Sequence, residues 1–329
     1  MIISRTPVRI TLFGGGTDYK SYFHKNGGIT LGFSINKYSY LILNENKDSI
    51  YNHNFFLAYR KIEKVRKINQ IKHLSIKSCL KFCKINKKAQ IHYLSDIPSA
   101  TGLGSSSSFT VGLLKVLYCL KKKEISNFSL AKKSIFIEQN LNKEIVGCQD
   151  QITCSVGGIL KIEYKKNNQI KYKNIHLTKK RKKDLFNRLM LFYTGKTRIS
   201  GLTLKNQETK TIKGNNSYAL DKMKEICIKA INILESPKIK IDKLGNLFHQ
   251  NWELKKTLSN KVSNKKINYY YQLAINNGAL GGKLVGAGNG GFLLFFVKLK
   301  SKKKLRKVLN KLQEVRFDID YQGSKIIYK

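Results

Sequence analysis

The segment Pro98 to Ser108, PSATGLGSSSS, has the residue types of an anion-binding helix start. Gly102 and Gly104 permit backbone conformations that bring N–H groups close to a negative charge. The serines that follow can cap a helix, whose first N–H groups and positive dipole end favour an anion. A flexible connector with an ordinary helix cap would have the same composition, so this segment alone leaves both interpretations open.

The N-terminal segment Thr6 to Tyr19, TPVRITLFGGGTDY, places two charged residues around a glycine turn. Alternating residues predict a short strand that carries Arg9, and three glycines then precede Asp18. A cation and a carboxylate that accepts hydrogen bonds from hydroxyl groups could meet here in one pocket. An ordinary turn capped by an Asp side chain would read the same way.

Two familiar nucleotide-binding patterns do not fit the chain. It contains no G-x-x-x-x-G-K-[ST] sequence, which argues against a P-loop NTPase. A G-x-G-x-x-G match occurs at Gly286, Gly288 and Gly291, but the apolar run FLLFFV follows it. Such a run predicts a buried strand, whereas a dinucleotide fingerprint opens a helix.

Hydrophobic spacing predicts the elements that must position these residues. Strands are predicted over residues 1–13, 29–43, 90–94, 159–164 and 170–175, and from residue 189 onward. Helices are predicted over residues 71–83, 105–121, 127–140, 217–234 and 244–258. The segment 278–297 is predicted to contain a helix end, a glycine loop and a strand.

Several segments resemble, in their order along the chain, the motifs of the GHMP small-molecule kinases. This family is named for galactokinase, homoserine kinase, mevalonate kinase and phosphomevalonate kinase. The segments INKY, WELKK and GALGGKL are similar to a sugar-phosphate branch of the family, and the resemblance extends from about residue 3 to about residue 297. The segments that carry the family resemblance are TPVRITLFGGGTDY, DIPSATGLGSSSSFTVGLL, GCQDQ and GALGGKLVGAGNGG.

The resemblance implies an α+β fold with two domains. The N-terminal, nucleotide-binding domain, residues 1–180, is expected to resemble the second domain of ribosomal protein S5. The C-terminal domain, residues 181–329, is expected to be ferredoxin-like. A length of 329 residues agrees with two packed domains, and the active site is expected between them.

The activity that the resemblance implies is ATP-dependent phosphorylation of the anomeric hydroxyl of a sugar phosphate, with a heptose 7-phosphate as the expected substrate. ATP and Mg²⁺ are the expected cofactors. Asp150 is expected to accept or orient the proton of the attacking hydroxyl, with Arg9 beside it as a catalytic cation. Ser106 and Glu138 are expected to hold Mg²⁺.

The remaining site residues that the resemblance implies fall into three groups. The expected ATP-binding residues are Pro98, Thr101, Gly102, Leu103, Gly104, Ser105, Ser106 and Ser107. The expected substrate-binding residues are Gly15, Gly16, Thr17, Asp18 and Arg198. Gly286, Gly288, Gly290 and Gly291 are expected to support the phosphate loop.

A substrate that already carries a phosphate needs a cation remote from the reacting hydroxyl. Arg198, Lys255, Lys256 and Lys283 are candidates. Among 63 basic residues, surface charge is the simpler interpretation of each.

Three positions depart from the family pattern. Ala100 stands where the family usually has glycine, and we expect the loop to be positioned without a positive φ at this residue. Asn289 stands where the sugar-phosphate branch usually has glycine, and Asn tolerates the left-handed region. Cys148 stands where that branch usually has lysine. This substitution affects the expected substrate more than the assignment as a kinase.

The net charge of +43, from 63 basic and 20 acidic residues, raises the question of nucleic-acid binding. The excess lysine is spread along the chain, and no RRM, KH, zinc-finger or helix-turn-helix signature accompanies it. We therefore expect small-molecule partners, no specific nucleic acid, and a monomer or homodimer. The alternatives are a kinase of an unphosphorylated sugar of the fucose or uronic acid type, or a non-catalytic basic RNA-binding protein on an S5-like scaffold.

A membrane span requires about 18 consecutive apolar residues, and the chain has no apolar run close to that length. Its N-terminus lacks the signal pattern of a charged segment followed by an apolar one. We therefore expect no membrane association and a cytoplasmic location.

Overall fold

The structure, a computed structural model, describes residues 1–45, 51–85, 87–195 and 200–329. Its strands are β1 (Ile2–Phe13), β2 (Gly28–Glu45), β3 (Phe55–Ala58), β4 (Ile62–Val65), β5 (Ala89–Ser95), β6 (Ile159–Tyr164), β7 (Ile170–Asn174), β8 (Leu189–Tyr193), β9 (Ala279–Leu284), β10 (Phe292–Val297), β11 (Gln313–Glu314) and β12 (Lys325–Tyr328). Its α-helices are α1 (Lys20–Asn26), α2 (Leu74–Phe82), α3 (Ser105–Leu120), α4 (Asn127–Phe136), α5 (Gln149–Val156), α6 (Lys179–Arg188), α7 (Ser200–Ile212), α8 (Ser217–Glu235), α9 (Lys243–Thr257), α10 (Lys265–Asn276) and α11 (Lys302–Val308). A π-helical turn, Ile137–Leu141, extends α4.

The strands form two sheets. In the first, the order is β12-β1-β2-β5-β3-β4, with β6 and β7 continuing from β2. The long strand β2 pairs with β6 over its first residues and with β5 over its last. In the second, the order is β11-β8-β10-β9, all antiparallel. The last strand of the chain thus returns to the first sheet.

The open edge of β1 positions the cleft. β12 pairs only with the start of β1, at residues 3–5. Farther along, the N–H of Arg9 donates to the Leu103 carbonyl at 2.9 Å, and the Lys283 ammonium donates to the Leu12 carbonyl at 3.0 Å. β1 therefore holds both the glycine-serine loop and a residue of the second sheet.

An apolar core joins the two sheets. The Phe248 ring on α9 is fully buried, and its centroid lies 4.6 Å from that of Phe13 and 5.8 Å from that of Phe296. Phe13 ends β1 and Phe296 lies in β10, so this contact fixes the second sheet against the end of β1 next to the glycine turn. Every residue of β10 is buried, as its apolar run predicted.

The segment 279–284 is a strand, which corrects the predicted helix end. Gly281 and Gly282 have a packing role there: a Cβ on Gly281 would lie 2.1 Å from the Gly245 carbonyl oxygen of α9. Gly281 therefore allows α9 to lie directly on β9, whereas a Cβ on Gly282 would lie 2.5 Å from the Phe295 ring of β10. Within the described residues, no helix is long and apolar enough to cross a membrane.

Ala100 has a φ of +61°, so the expectation that the loop avoids a positive φ here is wrong. Alanine enters the left-handed region at a cost of roughly 1–2 kcal/mol, because its Cβ approaches a carbonyl oxygen. Asn289 also has a positive φ, +64°, as its tolerance of this region allows.

Ala100→Gly should therefore leave the free energy of unfolding unchanged or raise it by up to about 1 kcal/mol, because relief of backbone strain exceeds the added entropy of the unfolded chain. Ala58→Gly in β3, where φ is not positive, is the control and should destabilise the protein. Urea unfolding of both variants measures this difference. A decrease of about 0.4–1 kcal/mol in the free energy of unfolding of Ala100→Gly would show that the residue does not need a positive φ.

Candidate functional site

A cavity of about 490 Å³ lies between the glycine turn after β1, the glycine-serine loop, the start of α5, α9 and the glycine loop after β9. These segments come from the two sheets and the helices packed on them. The residues predicted from separate motifs therefore meet in one cleft.

The Arg9 guanidinium and the Asp150 carboxylate form a two-point ion pair on the cavity wall. Arg9 Nε and Nη2 donate to the two Asp150 oxygens at 2.8 and 2.6 Å, and Nη1 donates to the Gly102 carbonyl at 2.6 Å. Burial lowers the pKa of Arg9, but the charge and hydrogen bonds of Asp150 raise it by more. Arg9 is 5% exposed, whereas 27% of the Asp150 side chain is exposed. The carboxylate is thus held by its partner and open to the cavity.

Asp18 lies in the same cavity and is 1% exposed. Its carboxylate accepts the N–H of Gly16 at 3.0 Å and the N–H and side-chain amide of Gln149 at 3.2 and 3.3 Å. Burial, together with the Asp150 charge, raises the pKa of Asp18 to about 6. A Cβ on Gly147 would lie 1.8 Å from an Asp18 oxygen, so this close approach requires glycine.

The glycine-serine loop leads into α3 as predicted, with Gly104 in the left-handed region at the N-cap. Of the predicted ATP-binding residues, Gly102, Gly104, Ser105, Ser106 and Ser107 line the cavity. Ser99 and Ala100, which the predictions omitted, line it as well.

The structure does not bring Pro98, Thr101 and Leu103 to the cavity wall. The Thr101 hydroxyl is buried and donates to the Pro98 carbonyl at 2.8 Å, and the Leu103 side chain is in the apolar core. Their side chains hold the loop in shape.

The predicted Mg²⁺ ligands Ser106 and Glu138 are both next to Ser107: Ser106 precedes it in the chain, and Glu138 accepts its hydrogen bond. Ser106 is exposed in the cavity. Glu138 lies in the π-helical turn and is fully buried, where it accepts hydrogen bonds from Ser107 at 3.0 Å and from Gln151 at 2.6 Å. Burial and the Glu144 charge raise the pKa of Glu138 to about 7. A carboxylate and a hydroxyl are suitable ligands for Mg²⁺, and a buried carboxylate without a cationic partner among the described residues fits a cation.

The predicted substrate-binding residues have different positions. Gly15, Gly16 and Asp18 line the cavity. Thr17 is fully buried, and its hydroxyl donates to the carbonyls of Gly14 and Ile29, so it faces the core and is not placed to contact a substrate. Arg198 lies outside the described residues.

The glycine loop after β9 packs against the glycine-serine loop. A Cβ on Gly291 would lie 2.0 Å from the Thr101 carbonyl oxygen, and one on Gly288 would lie 2.6 Å from the Val262 backbone. Gly286 lines the cavity, whereas Gly290 is buried behind it.

An aromatic group at one end of the cavity was missed by the sequence analysis. The His73 ring stacks on Phe109 at 4.8 Å, and Tyr93 meets Phe109 edge-on at 4.9 Å. Tyr59 contacts the His73 ring edge-on, and all four side chains line the cavity. Such an end can receive a flat heterocycle.

Two of the four candidate phosphate-binding cations are buried, which corrects their interpretation as surface charge. Lys255 and Lys283 are 7% and 2% exposed and line the cavity. Lys255 donates to the Leu284 carbonyl at 2.8 Å and to the Gly286 carbonyl. Lys256 instead pairs with Glu253 at 2.9 Å.

Cys148, the third departure from the family pattern, is a core residue. It is 1% exposed and packs in an apolar cluster with Phe23 and Ile152. Burial raises the pKa of its thiol to about 12.

Comparison with known proteins identifies relatives across the whole chain. A curated D-glycero-alpha-D-manno-heptose 7-phosphate kinase of Campylobacter jejuni is 30% identical over 321 residues, which cover 95% of this chain and 94% of the relative. A mevalonate kinase of Methanocaldococcus jannaschii is 28% identical over 245 residues, which cover 74% of this chain and 72% of the relative.

A crystal structure of a D-glycero-D-manno-heptose 1-phosphate kinase from Bacteroides thetaiotaomicron superposes with a TM-score of 0.80 at 22% identity. The superposition covers 100% of both chains, so the two proteins share the complete two-domain fold.

Two family models match the chain. The GHMP kinases N terminal domain matches residues 68–158, and the GHMP kinases C terminal domain matches residues 232–316. The matched segments contain the glycine-serine loop, Glu138, Asp150 and the glycine loop after β9. Together with the 30% identity over nearly the full length, they place this chain in the GHMP kinase family, whose fold has two domains of mixed helices and strands.

Proposed function

We propose that this chain transfers the terminal phosphoryl group of ATP to the anomeric hydroxyl of D-glycero-D-manno-heptose 7-phosphate. Membership of the GHMP kinases supports the kinase reaction, and the heptose 7-phosphate kinase relative supports the acceptor. The observation that carries the proposal is the Asp150 carboxylate, which Arg9 holds at two points beside the glycine-serine loop and in the same cavity as Asp18.

The residues that line the cavity support an assignment of two binding regions. The aromatic end of Tyr59, His73, Tyr93 and Phe109 would receive the adenine base. The backbone N–H groups at the start of α3 would bind the phosphates, because this helix end carries four N–H groups without helical partners and a positive dipole.

The acceptor would bind at the other end, near Asp18 and Asp150. Asp18, oriented by Gly16 and Gln149, would accept hydrogen bonds from sugar hydroxyls. Asp150 would accept or orient the proton of the anomeric hydroxyl. Arg9 holds this carboxylate in place and offsets the negative charge that gathers during phosphoryl transfer.

Ser106 and Glu138 would hold Mg²⁺, which when bound neutralises charge on the phosphate oxygens. The exposed Ser106 hydroxyl and the buried Glu138 carboxylate support this assignment. The expected monomer or homodimer, the absence of nucleic-acid and membrane partners, and the cytoplasmic location stay predictions.

The experiment that tests the proposal is turnover of ATP with a panel of sugars and sugar phosphates, with the products identified by mass. The expected result is a heptose bisphosphate formed from the 7-phosphate in strong preference to the unphosphorylated heptose. If fucose or a uronic acid is turned over in preference, the acceptor is that unphosphorylated sugar and the heptose 7-phosphate assignment is wrong. Absence of turnover with every acceptor, combined with steeply salt-dependent RNA binding, would overturn the kinase proposal.

Asp150→Asn should lower kcat by about 100-fold or more and leave KM for ATP unchanged, because it removes a group that acts on the acceptor hydroxyl. Steady-state kinetics measures both values, and urea unfolding reports on the fold. Asp184→Asn, which breaks an Arg188 ion pair outside the cavity, is the matched control and should keep wild-type kcat. Near-normal turnover of Asp150→Asn would remove this residue from the mechanism.

Ser106→Ala and Glu138→Gln should each raise the Mg²⁺ concentration needed for half-maximal rate, and excess Mg²⁺ should partly restore the rate. Glu235→Gln, which breaks an ion pair with Lys173 outside the cavity, is the control and should respond to Mg²⁺ as the wild type does. If both test variants also respond as the wild type does, the metal ligands lie elsewhere.

A further inference from the structure

Lys283 is a buried cation that the mechanism above does not use. It lies in β9, opposite Leu294 of β10, is 2% exposed, and lines the cavity. The described residues provide it with no carboxylate partner, and the acceptor of its hydrogen bond is the neutral Leu12 carbonyl. An ammonium group has three N–H donors, so donors remain for a ligand.

Burial of basic residues is selective in this protein. Within the described part of the chain, the buried basic residues are Arg9, Lys255 and Lys283, and all three line the cavity. Arg9 is neutralised by Asp150. A buried cation without an anion is costly, and the cost is recovered when an anionic ligand arrives.

The position of Lys283 specifies where that anion would lie. Lys283 contacts β1 at Leu12, which is three residues, or about 10 Å along the strand, from the point where Arg9 meets the glycine-serine loop. In the proposed reaction, the anionic groups of the ligands are phosphates.

We propose that Lys283 binds a phosphate group that enters the cleft near the end of β1. This inference rests on the proposed function, which supplies two phosphates that could reach this part of the cavity. One is the terminal phosphoryl group of ATP, and the other is the phosphate that the acceptor already carries.

The electrostatic surroundings give Lys283 a recognisable pH dependence. Burial, reinforced by the Arg9 charge, lowers the pKa of Lys283 to about 7. The groups that face it are Arg9 from β1 and Cys227 from α8, with Lys255 of α9 at the adjacent Leu284 carbonyl; its partner on β10 is apolar. Arg9 stays charged, and burial raises the pKa of the Cys227 thiol well above neutrality. Above pH 7 the free Lys283 is therefore neutral and must take up a proton to bind phosphate.

The test measures the wild type and Lys283→Met with two pairs of ligands. The members of each pair differ by one phosphate. Calorimetry measures the affinities for ADP and for the non-hydrolysable triphosphate AMPPNP, and kinetics measures KM for heptose 7-phosphate and for heptose. Loss of a charged hydrogen bond should weaken one phosphate-bearing ligand by about 10- to 100-fold and leave its shorter counterpart unchanged. Weaker AMPPNP binding identifies the transferred group, and a raised KM for the heptose phosphate identifies the acceptor phosphate.

Two further variants separate binding from a structural role. Lys283→Arg should restore most of the lost affinity and should abolish the rise in KM or Kd, up to tenfold per pH unit, that the wild type shows above pH 7. Lys161→Met is the control, because Lys161 also acts on Cys227 but does not line the cavity, and it should behave as the wild type.

The inference would be overturned if Lys283→Met weakened the binding of both members of each ligand pair equally, or if it weakened the binding of no ligand. If the wild type accepts no sugar phosphate, the acceptor assignment fails, while the comparison of AMPPNP with ADP still tests Lys283.

Discussion

The ion pair between Arg9 and Asp150 is the interaction on which the cleft depends. Arg9 is nearly inaccessible to water, and its charge requires an anion at that point. Its guanidinium also donates to the Gly102 carbonyl, and its N–H donates to that of Leu103. One buried cation therefore holds together the first strand, the glycine-serine loop and the helix that carries Asp150, which are far apart in the sequence.

Steric limits around this ion pair explain several of the motif glycines. A Cβ on Gly104 would lie 3.1 Å from the Arg9 side chain, one on Gly147 would overlap the Asp18 carboxylate, and one on Gly291 would overlap the Thr101 backbone. At Gly147 and Gly291 a carboxylate or another loop passes too close for a side chain, whereas at Gly104 the Arg9 side chain would have to shift. These glycines hold the segments in contact, whereas the positive φ of Gly104 also shapes the start of α3.

The sequence predicted the parts of the structure that local pattern controls. Periodicity located α3, β1 and β10, and motif order indicated that Arg9, Asp18 and Asp150 belong to one site. The aromatic end was missed because Tyr59, His73, Tyr93 and Phe109 come from four separate parts of the chain and meet only in the folded protein. The error at Ala100 has a different cause: the surrounding loop outweighs the backbone preference of one residue. Gly281 and Gly282 were misread because glycine ends helices and also allows a helix or a neighbouring strand to approach closely.

Composition could not indicate which of the 63 basic residues are buried. Among the residues that it describes, the structure separates a widely distributed surface charge from three cations fixed in the cleft, and these two sets affect ligands differently. Surface lysines raise the encounter rate of anions through a potential that salt screens. Arg9, Lys255 and Lys283 lie in a poorly hydrated site, where the interaction of a charge with a bound anion is stronger and the position of the charge is fixed. Lys283 acquires its full charge when it takes up a proton on binding an anion, so its contribution appears together with the ligand. The high net charge of the chain and the selectivity of its cleft are therefore separate properties, and the second depends on burial.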